Sequence, residues 1–301
     1  MSDAALRDPR IPAPVIDRPE DYLHVEQTLS SWFFTTDHKR IGILYLVSIT
    51  GFFVIGAIAA GIVRLALVVP DGSILSNEVY NRMFTLHGVI MVWFFLVPSI
   101  PNTLGNFLLP LMIGAKDLAF PKINLLSWYV FVTASLFTLF VLLWGGVDTG
   151  WTFYTPLSTQ YANGYVIAAV LGIIVVGYSS ILTGLNFIVT VHKMRAPGMT
   201  WFRMPLFVWS LYATSLILVL ATPVLTIALV LVFVDRAFGL GVFNPEQGGD
   251  PVLFQHLFWF YSHPVVYVMV LPGMGVMSEL VTAYAYKKIF GYKFIAFSSL
   301  A

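Results

Sequence analysis

The sequence predicts an all-α integral membrane protein, a bundle of transmembrane helices with six complete spans and the start of a seventh. Three observations predict it. The chain of 301 residues is 58% hydrophobic and only 10% charged, a balance foreign to a soluble globule. Its apolar stretches exceed the roughly 20 residues that a spanning helix needs. Lysine and arginine crowd into alternate breaks between those stretches, as topology signals do.

Taken in order, residues 1–36 read as a cytoplasmic N-terminal tail. Arg7, Arg10, Arg18, Asp17, Glu20 and Asp21 mix with Pro9, Pro12, Pro14 and Pro19, and no apolar segment of a signal peptide is present. Ser30 to Phe34 carries the aromatic residues expected at a membrane interface. Residues 37–301 form the transmembrane region. Apolar spans are expected near 41–69, 83–110, 124–145, 164–191, 204–234 and 252–284, with a seventh beginning at 293. One set of breaks holds ten basic residues, including Lys39, Arg40, Lys116, Lys122, Lys193, Arg195, Arg203, Lys287, Lys288 and Lys293, while the other holds Arg82 and Arg236. The positive-inside rule therefore puts the N-terminus in the cytoplasm. Asp71, Glu78, Asp148, Glu246 and Asp250 fall in the outer loops.

With no cysteine, disulfides, thiolate metal sites and iron–sulfur clusters are excluded, so any metal or haem must be held by His, Met, Tyr or carboxylate. The net charge of +1 gives no basis for nucleic-acid binding.

Polar residues inside apolar spans need a reason to be there. In Tyr261-Ser262-His263-Pro264-Val265-Val266-Tyr267, His263 and Tyr267 are four residues apart and so share a helix face. Pro264 and Pro272 loosen the backbone ladder nearby. A histidine able to ligate a metal beside a phenol able to lose a proton and an electron is redox chemistry in outline. Trp259, Tyr261, Ser262 and Tyr267 are expected to crowd around His263. His87 is followed by Gly88, which would let a flat macrocycle approach the backbone. His256 reads as structural, His192 as interfacial, and His24 and His38 as facing water. Arg64, near the outer end of the first span, divides evenly between snorkelling and hydrogen bonding to a buried cofactor. Asp117 lies in a basic loop flanked by Asn106 and Asn124, and Ser179, Ser180, Thr183 and Asn186 stud the fourth span. Each hydroxyl alone is ordinary helix–helix glue, but an acid at the mouth makes the set a candidate proton path.

The chain resembles subunit I of the haem–copper terminal oxidases, the cytochrome c oxidase family. The matching stretches are Thr36 to Gly42, Phe84 to Met91, Gly105-Asn106, Pro110 to Ala115, Asp117 to Pro121, Gly150 to Thr152, Pro205 to Trp209, Asp250-Pro251, Gln255 to Phe260, and His263-Pro264 with Tyr267. The resemblance implies the first half of a twelve-helix fold, two haems (one low-spin, one oxygen-binding) and copper. His87 matches an axial ligand of the low-spin haem and Arg64 the arginine at that haem's periphery. His263 matches a copper ligand, Tyr267 the tyrosine linked to that histidine, and Trp259 a tryptophan packed against the copper ligands. Asp117, Asn106, Asn124, Ser179, Ser180 and Asn186 match one proton channel, and Ser278 a second. The implied activity is reduction of O2 to water with electrons from cytochrome c, coupled to proton uptake and pumping. The implied partners are the copper-carrying subunit through which electrons enter, other oxidase subunits and membrane lipid. The implied location is the bacterial inner membrane.

Two departures stand out. Familiar members carry a glutamate two residues after the copper-ligand histidine, where this chain has Val265. Tyr261 and Ser262 resemble the Tyr-Ser-His-Pro branch, in which hydroxyls stand in for that acid. The family also needs about twelve spans, so the other copper histidines, the second low-spin ligand and the ligand of the oxygen-binding haem fall outside these residues. The 301 residues alone are expected to be inactive, and a non-catalytic membrane fragment is the main alternative. Quinol-oxidising members carry His and Gln where Val79 and Arg82 stand here, which favours cytochrome c as donor. A seven-span receptor or transporter is disfavoured by the motifs, and a nitric oxide reductase by Tyr267.

Overall fold

A computed structural model describes residue 22 and residues 28–70, 72 and 74–301. The chain divides into two units, Met1–Phe34 and Thr35–Ala301. Of the expected N-terminal tail, residue 22 and residues 28–36 are described, and they include a short helix, Leu29–Phe33, whose first turn is capped by the Thr28 hydroxyl. His24 lies outside the described residues.

Among the described residues, the second unit holds six helices long and apolar enough to cross a membrane. The first, α1 (His38–Leu65), starts earlier than its apolar run because the Asp37 carboxylate accepts the Lys39 and Arg40 N–H groups. That cap draws His38 into the helix and buries it, contrary to the expectation that it faces water; its Nδ1 donates to the Asn106 carbonyl at 2.7 Å. Ser76 caps α2 (Asn77–Ile113), which likewise begins before the hydrophobic stretch. Then follow α3 (Pro121–Gly145), α4 (Tyr165–Lys193), α5 (Leu206–Phe238) and α6 (Pro251–Ala285), with a short α7 (Tyr292–Ser298) at the position expected for the seventh span.

Two stretches of α2, Ile90–Leu96 and Pro101–Gly105, are π-helical. Pro98 and Pro101 each remove a ladder donor, and the Val97 N–H closes on Val92, five residues back. Hydropathy is blind to this change of winding.

Neighbouring helices pack in chain order, α3 on α4, α4 on α5 and α5 on α6, while α1 lies against α2 and α3. Lipid tails are as apolar as leucine, so small residues and buried polar contacts must bring such helices together. At Gly275 of α6, an added Cβ would sit 2.9 Å from the Phe207 Cα of α5. Phe52, Phe94, Phe131 and Tyr45 fill the space between α1, α2 and α3. Exposed Leu46, Val47, Val54 and Ile58 on α1 suit a hydrocarbon solvent.

Candidate functional site

His87 lies on α2 just before the first π-helical stretch, half-buried. Its Nδ1 is 3.0 Å from the Gly56 carbonyl of α1. A carbonyl only accepts, so Nδ1 carries the proton and the lone pair falls on Nε2, the arrangement of a metal-binding imidazole. The donor chemistry therefore fits an iron ligand. Gly56 eases this approach, since a Cβ there would meet the Met91 sulfur at 2.9 Å and Ile90 at 3.1 Å. At Gly88 an added Cβ would meet Trp151 at 3.1 Å, so the missing side chain lets that indole come close to the backbone. Arg64 is exposed and sits eight residues beyond Gly56, about 12 Å along α1.

On α6 the four-residue spacing produces the expected pair. The rings of His263 and Tyr267 lie 5.0 Å apart at 70°. The predicted crowd around His263 is split, however. His263, Tyr267 and Trp259 occupy the outward face, together with His256, which was expected to be structural. Tyr261 and Ser262 are buried on the opposite face with Val265. Their sequence neighbourhood concealed this because adjacent helical residues point about 100° apart. Trp259 donates its indole N–H to the Tyr154 hydroxyl. Tyr261 stacks on Trp93, at 5.8 Å and 9°, within the first π-helical stretch of α2. The Ser262 hydroxyl is buried without a hydrogen-bond partner, and the buried Thr222 hydroxyl has only the Tyr261 phenol near it. Such atoms are natural positions for buried water.

The polar residues at the other candidate site gather at one end of the bundle. Asp117 accepts the Leu118 N–H at 2.6 Å. Burial, helped by the nearby Asp37, raises its carboxyl above the ordinary value, and that N–H and the neighbouring His38 offset the rise only in part. Asn186 holds the loop in place, accepting the Phe120 N–H at 3.0 Å and donating to the Phe120 carbonyl at 3.1 Å. Asn106 donates to the Asn102 carbonyl at 2.7 Å, while neither polar end of the buried Asn124 side chain finds a partner. Deeper in the bundle, Ser179 joins a knot with Tyr45, Ser127 and Thr183. Ser127 donates to the Asn124 carbonyl at 2.7 Å, so the Tyr45 phenol, 2.9 Å away, donates to Ser127. Ser179 donates to the Ser127 carbonyl at 2.7 Å. Ser180 is half-buried and outside this knot. Ser278 donates to the Met274 carbonyl and lines a cavity of about 630 Å³ between α5, α6 and α7.

Sequence reasoning missed Tyr45, Ser127 and Trp93. Ser127 had a signal, since it lies three residues after Asn124 on the same helix face. Among the described residues no three His, Cys, Asp or Glu side chains gather to hold a metal.

Apolar spans joined by short turns, with polar side chains directed between helices, define an all-α integral membrane protein. The family model described as cytochrome C and quinol oxidase polypeptide I matches residues 40–301, and the chain belongs to that family. It is 47% identical over 268 residues to cytochrome c oxidase subunit 1 of Thermostichus vulcanus, covering 89% of this chain and 49% of the relative. It is 43% identical over 279 residues to cytochrome c oxidase subunit 1 of a Synechocystis species, covering 92% and 50%. It is also 41% identical over 278 residues to quinol oxidase subunit 1 of Bacillus subtilis, covering 90% and 42%. The chain thus spans about half the length of the curated relatives it matches.

Proposed function

We propose that the whole protein is the catalytic subunit of a respiratory terminal oxidase, reducing O2 to water with electrons from a cytochrome c donor. In this reading protons are drawn from the cytoplasm and some are pumped outward. The observation that carries it is the pairing of His263 with Tyr267 at 5.0 Å in a membrane-spanning helix of a chain in this family. Two haems and copper, when bound, would carry electrons and supply the redox chemistry. His87 would hold the low-spin haem iron through Nε2, with Gly56 fixing its tautomer. Arg64, near the end of α1, would hydrogen-bond the polar edge of that haem. His263 would hold copper, and the Tyr267 phenol beside it would give a proton and an electron. Trp259 would support that face. The remaining ligands would come from residues beyond these 301.

Asp117 would collect protons at the cytoplasmic end, with Asn106, Asn124, Ser179, Ser180 and Asn186 along the first path and Ser278 along a second. Tyr261 and Ser262 would relay protons in place of the acid that Val265 cannot supply. A neutral hydroxyl relays a proton but stores one poorly. Partners are the copper-carrying subunit through which electrons enter, other oxidase subunits, cytochrome c and membrane lipid. The N-terminus would face the cytoplasm, in a bacterial inner membrane.

The test is haem content and oxygen uptake of the complete protein. His87→Ala should remove one haem of two by pyridine haemochrome assay, and His263→Ala should abolish oxygen uptake while retaining both haems. Unchanged haem in the first variant would refute the ligand role. Residues 1–301 purified alone should take up no oxygen. Loss of activity from the complete protein as well would favour the non-catalytic reading. The Bacillus subtilis relative supports a second donor reading, so reduced cytochrome c and a quinol should be compared directly.

A further inference from the structure

Hydroxyl side chains inside a helix ordinarily bond their own backbone, and α5 shows the habit. Ser210 donates to the Phe207 carbonyl at 2.8 Å, Ser215 to that of Leu211 at 2.7 Å and Thr226 to that of Thr222 at 3.1 Å. The Thr222 side chain is an exception. It is fully buried, yet its hydroxyl makes no hydrogen bond and has only the Tyr261 phenol of α6 near it. An idle buried hydroxyl costs stability, so a position that keeps one calls for a use.

The packing around Thr222 aims that hydroxyl. A Cβ added at Gly177 of α4 would lie 3.1 Å from the Thr222 Cγ2, so the methyl group rests against the α4 backbone. Methyl and hydroxyl leave the same carbon in staggered directions, so seating the methyl on α4 also fixes the hydroxyl, beside α6. The phenol is held from its other end, where its ring lies flat on Trp93 of α2 at 5.8 Å. Contacts from α2 and α4 thus fix two neighbouring hydroxyls deep in the bundle.

A hydroxyl relays by accepting one proton on oxygen while its own leaves along a hydrogen bond, so it ends neutral and unchanged. That exchange needs an acceptor in a fixed place. We infer that Thr222 is a positioning residue that supplies it, the Tyr261 phenol donating to the Thr222 oxygen across the α5–α6 contact. The inference rests on the relay role proposed for Tyr261. A phenol is a stronger acid than an aliphatic alcohol, which sets the direction. The pair does not close into a bond at rest, and hydrogen bonds of this kind often tighten only in the working complex.

The test uses the complete protein with its partner subunits. Thr222→Val keeps the methyl that rests on Gly177 and removes the hydroxyl, whereas Thr222→Ser keeps the hydroxyl and removes the methyl. The valine variant should lose about three- to tenfold in turnover, the size of one hydrogen bond, with an unchanged KM for the electron donor. The serine variant should recover most of that turnover, and Ser215→Ala, which removes a hydroxyl bonded to its own helix, should keep all of it. Infrared difference spectra give a readout apart from activity: the phenol C–O band that disappears in Tyr261→Phe should shift in Thr222→Val. The double variant Thr222→Val/Tyr261→Phe should be no slower than Tyr261→Phe alone. Haem content and a detergent melting curve check assembly, and should the valine variant not assemble, Thr222→Ala carries the same expectations. Wild-type turnover in Thr222→Val beside a slow Tyr261→Phe would overturn the positioning role and spare the relay, as would an unmoved band. A serine variant as slow as valine would reduce Thr222 to packing. Wild-type turnover in Tyr261→Phe would overturn the relay and this inference with it.

Discussion

Tyr261 lies flat against Trp93, their ring centroids 5.8 Å apart and their planes 9° from parallel. The contact joins the buried face of α6 to the π-helical part of α2. It places the Tyr261 hydroxyl on the side of α6 opposite the His263–Tyr267 pair. Replacing Tyr261 with Phe keeps the stack and removes only the hydroxyl. In the complete protein this variant should keep its thermal stability and slow oxygen consumption; unchanged turnover and pumping would refute the relay. Tyr261→Leu loses the ring contact and should cost about 0.5–1.5 kcal/mol beyond the area it uncovers.

Gly275 sets the spacing of α5 and α6. The atom that an alanine would strike first that cannot move aside is the Phe207 Cα at 2.9 Å, a backbone atom. Gly275→Ala should therefore destabilise the chain by about 1–3 kcal/mol. Gly51, with nothing within 4 Å of an added Cβ, supplies the control, and Gly51→Ala should match the wild type in a detergent melting curve.

Asp117 gives a pH signature. Burial raises its carboxyl, so the native chain holds this proton to higher pH than the unfolded chain. The native state is thus penalised for ionising it, and stability falls as pH climbs from the ordinary value of 3.8 through the raised one. Asp117→Asn, neutral throughout, should lose that part of the slope. Melting temperatures of the two proteins across the acid range check this, and parallel curves would exclude it.

In the buried knot, Ser127→Ala would strip Tyr45 of its partner at 2.9 Å and leave Ser179 at 3.4 Å. The cost should be about 1–3 kcal/mol, the price of a buried hydroxyl left poorly bonded. Ser180→Ala, outside the knot, should change stability by less than about 0.5 kcal/mol.

The existence and order of the six spans were legible because a helix crossing hydrocarbon must be long and apolar. Their starts were not, since Asp37 and Ser76 extend α1 and α2 into polar sequence through side-chain caps. The His263–Tyr267 pairing was legible from helical spacing alone. The direction each residue faces was not. Trp259 and Tyr261 are equally aromatic in sequence, yet one is 42% exposed and the other 2%, because facing depends on where α2 and α5 lie. The neighbour of Gly88 was hidden for the same reason, since Trp151 reaches it from a loop 63 residues away in sequence.

The π-helical stretch Ile90–Leu96 has a consequence for how this chain can vary in length. One extra residue in a turn rotates everything beyond it by about 100°. The stretch therefore works as an angular offset between His87, held to α1, and the part of α2 that meets α6. Deleting a single residue here would mend the backbone ladder and yet swing Trp93 away from Tyr261. A loop absorbs such a change, but this segment cannot, so residue count is constrained here as tightly as residue identity.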